Sequence, residues 1–347
     1  MDARDPFVSV VMPVYNCERF LRETIASVLQ QTYANFEFII VNDGSTDATA
    51  QIIASYGDPR IICHNLPANR GVAGARNFGT SLARGEYLAF CDADDLYDPA
   101  RLQVQVDFLR RHPHIDVCGS DFTVIGNGRE QLVRNPRTDR RIKEYFLTGN
   151  CLGQPSMIGK TGVFRQYPYD PALQVSEDYD LWTRMAMGGV VFANVPQALV
   201  TYRLHSGQAS SAKGDLLHLT SKAISSKYTL ACLNNCLITE HVQAAALSRA
   251  DFRRFIAELA GVCQNQNRDI NTFRQLIALQ YRKLNSLGLR SFLTFLRLNS
   301  QQRLVFPAKY LLNLFFLSIL PVKNNSSLFE TLTKLKLYVP RQEEEGS

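Results

Sequence analysis

The sequence predicts an α/β protein: a doubly wound, mostly parallel sheet followed by a helical C-terminal region. Two patterns carry that prediction. Strand and helix signatures alternate four times within roughly the first 110 residues, the alternation that builds parallel sheets covered by helices. From about Asp215 onward strand signals nearly vanish and helical spacing takes over. Composition agrees: 347 residues, 46% hydrophobic, 20% charged and 10% aromatic, exclude wholesale disorder, collagen and coiled coil. A sizeable core is possible at this length. The expected division is a first domain over 1–210 and a helical region over 215–340, separated by the small, polar run 206–214.

Residues 7–12 are apolar and β-branched and stop at Pro13, as a buried parallel strand does. Leu21, Ile25, Val28 and Leu29 then recur at helical spacing. Residues 36–41 form the second strand run, and 46–56 a helix with Thr and Asp near its start. Residues 60–63 and 86–91 are the third and fourth strands. Between them, 72–83 is a helix rich in small residues, and 99–111 follows as a helix with Pro in its first turn. Farther on, 117–125 and 132–133 flank a Gly-Asn-Gly turn as strands. Residues 142–147 and 178–187 are helices, and 190–193 and 198–202 two closing strands.

In an open parallel sheet, ligands bind beyond the carboxyl ends of the strands. Here those ends lead into Pro13-Val14-Tyr15-Asn16, Asn42-Asp43-Gly44-Ser45-Thr46-Asp47, Asn69-Arg70-Gly71 through Arg76-Asn77, and Asp92-Ala93-Asp94-Asp95. The last cluster is the sharpest. Its carboxylates repel one another unless a cation or solvent compensates, and Mg²⁺ and Mn²⁺ take such oxygen ligands. Asp43 suits either a turn and helix cap or the imide N–H of a base such as uracil. Tyr15 can stack on a base or merely pack. Arg76 can face phosphate or ribose, or pair with an acid.

A second acidic segment, Ser176-Glu177-Asp178-Tyr179-Asp180, opens a helix, where the macrodipole favours negative charge. A buried carboxylate there could also serve as a general base. Trp182 beside it is either a packing anchor or a sugar platform. Arg203 and His205 lie two apart at a strand end, so they point the same way; one could meet diphosphate and the other a metal, though a lone His can equally be structural. No Walker A sequence, dinucleotide fingerprint, HExxH, nucleophile elbow or zinc-finger spacing is present.

Taken in order, these segments together with Pro99 and Tyr202-Arg203-Leu204-His205 resemble glycosyltransferase family 2, the inverting family with the GT-A fold. The resemblance covers roughly residues 6–210. It implies a nucleotide-diphosphate-sugar donor, commonly a UDP-sugar, and Mn²⁺ or Mg²⁺. Asp43 would hold the base beside Tyr15, Pro13 and Asn16, with Arg76 and Arg203 near ribose or diphosphate. Asp92 would approach the ribose or a metal-bound water. Asp94, Asp95 and His205 would bind the metal. Asp178 occupies the position of the catalytic base, with Glu177 in reserve and Trp182 on the acceptor side. Two departures stand out: Asn42 replaces the family's usual first Asp, and the glycine-rich stretch before the base segment reads Gln166-Tyr167-Pro168-Tyr169-Asp170-Pro171.

Charge is uneven along the chain. Residues 215–347 carry 17 Lys and Arg against 9 Asp and Glu. Leu289, Phe292, Leu293 and Leu296 share one helical face and Arg290, Thr294 and Arg297 another, and an uncharged run follows over 310–322. That run is too short to span a bilayer, so segment 289–323 suits a helix lying on an anionic membrane surface, or a bundle or subunit contact. The eight cysteines show no disulfide framework or zinc spacing, and the acidic, Pro-containing start is not a secretory signal. The expected location is therefore cytoplasmic, peripheral on the inner membrane face. The expected partners are a nucleotide-sugar donor and a glycan or lipid-linked acceptor, with no nucleic acid. Oligomeric state stays open. The competing functions are a non-catalytic nucleotide-sugar scaffold and a nucleotidyltransferase, though the glycine-rich basic loop of the latter is replaced by Pro13-Val14-Tyr15-Asn16.

Overall fold

In a computed structural model of the chain, residues 5–205, 208 and 214–233 are described. The apolar runs form the strands expected of them. Strand β1 (Val8–Val14) and β2 (Phe36–Asn42) are buried along their whole length, as parallel strands with both faces covered must be. They pair in parallel, and β3 (Ile61–Asn65) and β4 (Tyr87–Phe90) add in parallel outside them. Helices α1 (Leu21–Leu29), α2 (Thr49–Ala54) and α3 (Gly71–Leu82) make the crossovers. The small residues of α3 let it approach closely: a Cβ on Gly79 would lie 2.5 Å from Val11 Cγ1.

Beyond β4 the sheet turns mixed. Among the described residues its order is β3-β2-β1-β4-β8-β6-β9-β5, with β7 beside β6. Here β5 is Leu96–Tyr97, β6 Val117–Gly126, β7 Arg129–Val133, β8 Ile158–Lys160 and β9 Phe192–Arg203. β8 runs antiparallel to both β4 and β6, while β9 is parallel to β6 and antiparallel to β5. The two closing strands expected from sequence are thus one strand. Its register against β6 jumps from Ser120↔Val195 to Asp121↔Ala198, a bulge that accommodates Pro196 without ending the pairing. The end of β9 reaches the loop beyond β4, where the Arg203 N–H donates to Asp95 Oδ1.

Helix α4 (Arg101–Arg111) follows β5, and α5 (Asp139–Tyr145), α6 (Thr161–Gln166) and α7 (Glu177–Met187) cover the second half of the sheet. The core is continuous across the sheet, from Ile40 and Phe38 to Cys118, Ile158 and Val200. Chain contacts divide the protein into two units, residues 1–228 and 229–347. The expected helical region begins with α8 (Gly214–Leu233), whose Ile224 and Tyr228 are buried within the first unit. The remainder of that region, including 289–323, lies outside the described residues. Among the described residues no helix is long and apolar enough to cross a membrane.

Candidate active site

The carboxyl ends of β1, β2 and β4 and the start of α7 meet at one cleft of about 1100 Å³. Pro13, Tyr15, Asp43, Arg76, Asp92, Asp94, Glu177 and Asp178 all line it. The segments that sequence reading set side by side are therefore side by side in space.

Asp43 sits at the end of β2 and is 3% exposed. Its backbone N–H donates to Val14 O at 2.8 Å, and its Oδ1 accepts the Arg70 N–H at 2.8 Å. Gly44 turns the chain there with φ +73°, and a Cβ on it would meet Asn69 N at 2.9 Å. Asn42 donates to Asn65 Oδ1 and accepts the Ser45 N–H, so the residue that departs from the family pattern braces the loop. Tyr15 stands half-exposed at the cleft wall. Asn16 does not reach the cleft: it accepts the Thr46 N–H at 2.8 Å through Oδ1 and ties the first strand end to the second. Its positive φ of 48° reflects that tight connection.

The acidic loop 92–95 divides its side chains. The Tyr97 hydroxyl bonds both the N–H and C=O of Asp92 and so fixes its backbone. Asp94 faces the cleft rim, where Oδ2 lies 2.9 Å from His205 Nε2. Burial and the nearby Asp92 push the Asp94 carboxyl above its ordinary range, and the His205 contact offsets part of this. Asp95 turns away from the cleft. It is fully buried, its Oδ1 accepts the Arg203 N–H at 3.0 Å, and it is not placed as a metal ligand. Arg203 converges with His205 on Asp94, but as a brace rather than a diphosphate contact. Its guanidinium bonds Asp94 O and pairs with Glu23, and Nη2 donates to Thr24 Oγ1 at 3.0 Å.

Asp94 and His205 bring a carboxylate oxygen and an imidazole nitrogen together at the cleft rim, and burial and Asp92 make the Asp94 carboxylate costly to keep charged. That donor pair fits Mn²⁺ or Mg²⁺ as a partial site completed by diphosphate oxygens and water. Among the described residues no cluster of three or more His, Cys, Asp or Glu could hold an ion by itself.

The opposite wall is the start of α7. Ser176, its N-cap, is left-handed at φ 58° and ψ 22°, a costly backbone for a residue with a Cβ. Two residues on, Asp178 is part-exposed to the cleft. Desolvation and the adjacent Glu177 push its carboxyl up to about 7, with Arg76 partly opposing them. Glu177 is engaged elsewhere: Arg76 Nη1 donates to its Oε1 at 2.6 Å, while Nη2 reaches Asp92 Oδ1 at 2.8 Å. Arg76 is 4% exposed and lies over the Tyr169 ring. It therefore clamps the acidic loop to α7: of its two expected roles it takes the pairing with acids, buried rather than on the surface. The Tyr169 backbone is held in turn by a reciprocal pair of 2.8 Å bonds with Asn77.

Trp182 corrects a further expectation. It is fully buried on the inward face of α7, against the edges of Phe164 and Phe192, and takes no part in the cleft. Sequence reading also missed residues that serve the site. Arg101, 1% exposed, donates to Phe90 O at 2.8 Å and to Cys91 Sγ at 3.3 Å, fixing the chain that leads into Asp92. Asn150, on the loop after α5, donates to Asp178 Oδ2 at 2.9 Å. No motif marks either one, because each acts only through a partner that the fold brings to it.

The family model for glycosyl transferase family 2 matches residues 9–172. A Haemophilus influenzae protein named as an uncharacterized glycosyltransferase is 33% identical over 233 residues, 63% of this chain and 72% of that one. WfaP of Escherichia coli, named UDP-Glc:alpha-D-GlcNAc-diphosphoundecaprenol beta-1,3-glucosyltransferase, is 31% identical over 212 residues, 59% of this chain and 80% of WfaP. Among solved structures, residues 1–349 of Staphylococcus aureus TarS in complex with UDP-GlcNAc match with TM-score 0.53 at 20% identity, covering 86% of this chain and 90% of that one. Against a longer TarS chain the match spans 49% of its length. The fold shared with TarS is GT-A.

Proposed function

This chain belongs to glycosyltransferase family 2, and from that membership we propose that it moves a sugar from a UDP-sugar to a hydroxyl of a glycan or lipid-linked glycan, inverting the anomeric carbon, in cell-surface polysaccharide assembly. The observation that carries this reading is the pairing of two unlike acid groups across one cleft. Asp43, Asp92 and Asp94 stand at strand ends on one side, and Asp178, raised to about 7, stands opposite. A raised carboxylate is a competent general base near neutral pH. The name of WfaP supports a UDP-linked donor and a lipid-diphosphate-linked acceptor.

In the proposed reaction Asp43 accepts a hydrogen bond from the uracil imide, and Tyr15 covers the base. Asp92 meets the ribose, held in place by Tyr97 and Arg76. Asp94 and His205 are the residues that would hold Mn²⁺ or Mg²⁺, and a bound ion would supply charge neutralisation for the departing diphosphate. Asp178 takes the proton of the acceptor hydroxyl. That oxygen bonds the anomeric carbon as the bond to diphosphate breaks on the opposite face. Glu177, occupied by Arg76, serves the base by raising its pKa rather than replacing it.

The decisive test is Asp178→Asn, which keeps the side-chain shape and removes the basic oxygen. Transfer from UDP-glucose should fall by about 100-fold or more, while calorimetric affinity for the donor with Mn²⁺ stays within about twofold. Turnover comparable to wild type refutes the base assignment.

A further inference from the structure

Resting on the reading of Asp178 as base, we infer that Asn150 is the positioning residue of that base, orienting its carboxylate and favouring its ionised form. The geometry that points to this is specific. Asn150 Nδ2 donates to Asp178 Oδ2 at 2.9 Å, across 28 residues of chain. The amide has no freedom to turn round, because its own Oδ1 accepts the Leu152 N–H at 3.0 Å in a local Asx turn. The NH₂ end is thereby committed to the carboxylate.

The loop that carries Asn150 is itself anchored. Leu152 is 2% exposed and Cys151 8%, so both neighbouring side chains are rooted in the core. Gly153 lies flat against the Phe122 ring, where an added Cβ would come within 3.0 Å of Cε1. Asn150 itself is exposed and lines the same cleft as Asp178. An exposed polar side chain on a rooted loop, aimed at a raised carboxylate, contributes little to folding and much to orientation.

The other oxygen of Asp178 is also taken. Oδ1 accepts the Tyr179 N–H at 2.7 Å. Each oxygen thus has a donor, one from the start of α7 and one from the loop, and the carboxylate plane is fixed by two independent elements. One lone pair on each oxygen stays open to an incoming hydroxyl. The charged and titratable groups facing Asp178 are Glu177 on α7, Arg76 on α3, Asp92 beyond β4 and Tyr169 on the loop before α7. Glu177 and Asp92 oppose ionisation and Arg76 favours it. Asn150 is a neutral side-chain donor that acts on the base directly, beside the Tyr179 backbone N–H, and an N–H bonded to a carboxylate stabilises the anion.

The test compares wild type with Asn150→Ala and Asn150→Asp, reading initial transfer rates from UDP-glucose against pH and acceptor concentration. Loss of the donor raises the pKa of the base, so the acidic limb of the kcat profile moves up by about one pH unit in Asn150→Ala. In Asn150→Asp it moves farther, because a carboxylate then faces a carboxylate. At the high-pH plateau kcat falls about tenfold in Asn150→Ala, while acceptor KM and donor affinity stay within about twofold. Thermal unfolding of both variants should match wild type, which separates positioning from folding.

A raised acceptor KM with unchanged kcat and pH profile would show that Asn150 holds the acceptor, and overturns the inference. So does a wild-type profile in both variants. The Asp178→Asn enzyme separates the two levels of the argument. If it is inactive and the Asn150 variants behave as wild type, the positioning role alone fails. If it is active, the base assignment fails and takes the positioning role with it.

Discussion

Removing the guanidinium of Arg76 gives the most demanding test of how the two walls of the cleft are held together. Its side chain is 5% exposed, and its carboxylate partners Asp92 and Glu177 are 25% and 12% exposed. Arg76→Met keeps the length of the side chain and deletes the charge. It leaves two carboxylates beside Asp178 with no cation between them. Breaking a buried ion pair by removing one partner costs about 3–5 kcal/mol, and the partial exposure of Asp92 argues for the lower end, about 3 kcal/mol. For a unit of this size that is a fall in Tm of about 6–12 °C. The deficit should also depend on pH in a definite direction. Asp178 already stands at about 7, well above its unfolded value, and Arg76 holds it down. Without Arg76 it rises farther. A carboxyl raised in the folded state contributes stability at low pH and loses it as pH climbs through the folded pKa. The gap between variant and wild type should therefore be widest near pH 8 and narrow toward pH 5. Calorimetric unfolding at both pH values measures it. A Tm within about 1 °C of wild type at pH 8 would refute the idea that this guanidinium holds the cleft together.

Three further outcomes follow from particular residues. Because Asp178 must be ionised to accept a proton, kcat should climb between pH 6 and 8 with a midpoint near 7, and a flat stopped-time profile across that range counts against it. Gly44→Ala forces a Cβ to within 2.9 Å of Asn69 N at φ +73°, so it should cost about 1–2 kcal/mol in thermal unfolding and weaken UDP-sugar binding several-fold by displacing Asp43. Trp182→Phe should cost only about 1 kcal/mol, because losing ring volume is offset by removing a buried indole N–H that has no partner among the described residues, and it should leave acceptor KM unchanged.

The first half of the fold was open to sequence reading because a buried parallel strand leaves a plain mark: an uninterrupted β-branched run such as that of β1 or β2, followed by a turn and a helical period. What escaped was too short to have a period. β5 has two residues, β8 three and α6 six. β9 was split by Pro196-Gln197, since a bulge that lets a strand continue past proline has the same local sequence as a loop that ends it. The site was legible in the same uneven way. The acids converge because each follows a strand in a sheet whose topology puts all such ends on one edge. The duties of the cations were not legible. Arg76 finds Glu177 across 101 residues and Arg203 finds Glu23 across 180, and local sequence does not record such partners. Trp182 failed for a different reason: an indole suits a core and a sugar equally, and only its position on the inward face of α7 decides.

The hold of Arg203 on the acidic loop ties one rim of the cleft to a distant stretch of chain. Strands β1 to β4 lie within the first ninety residues and pair among themselves, yet the loop beyond β4 is clasped by a side chain more than a hundred positions later. A chain cut before β9 would keep the partners of β1, β2 and β3 but lose the contacts that clasp Asp94 and Asp95.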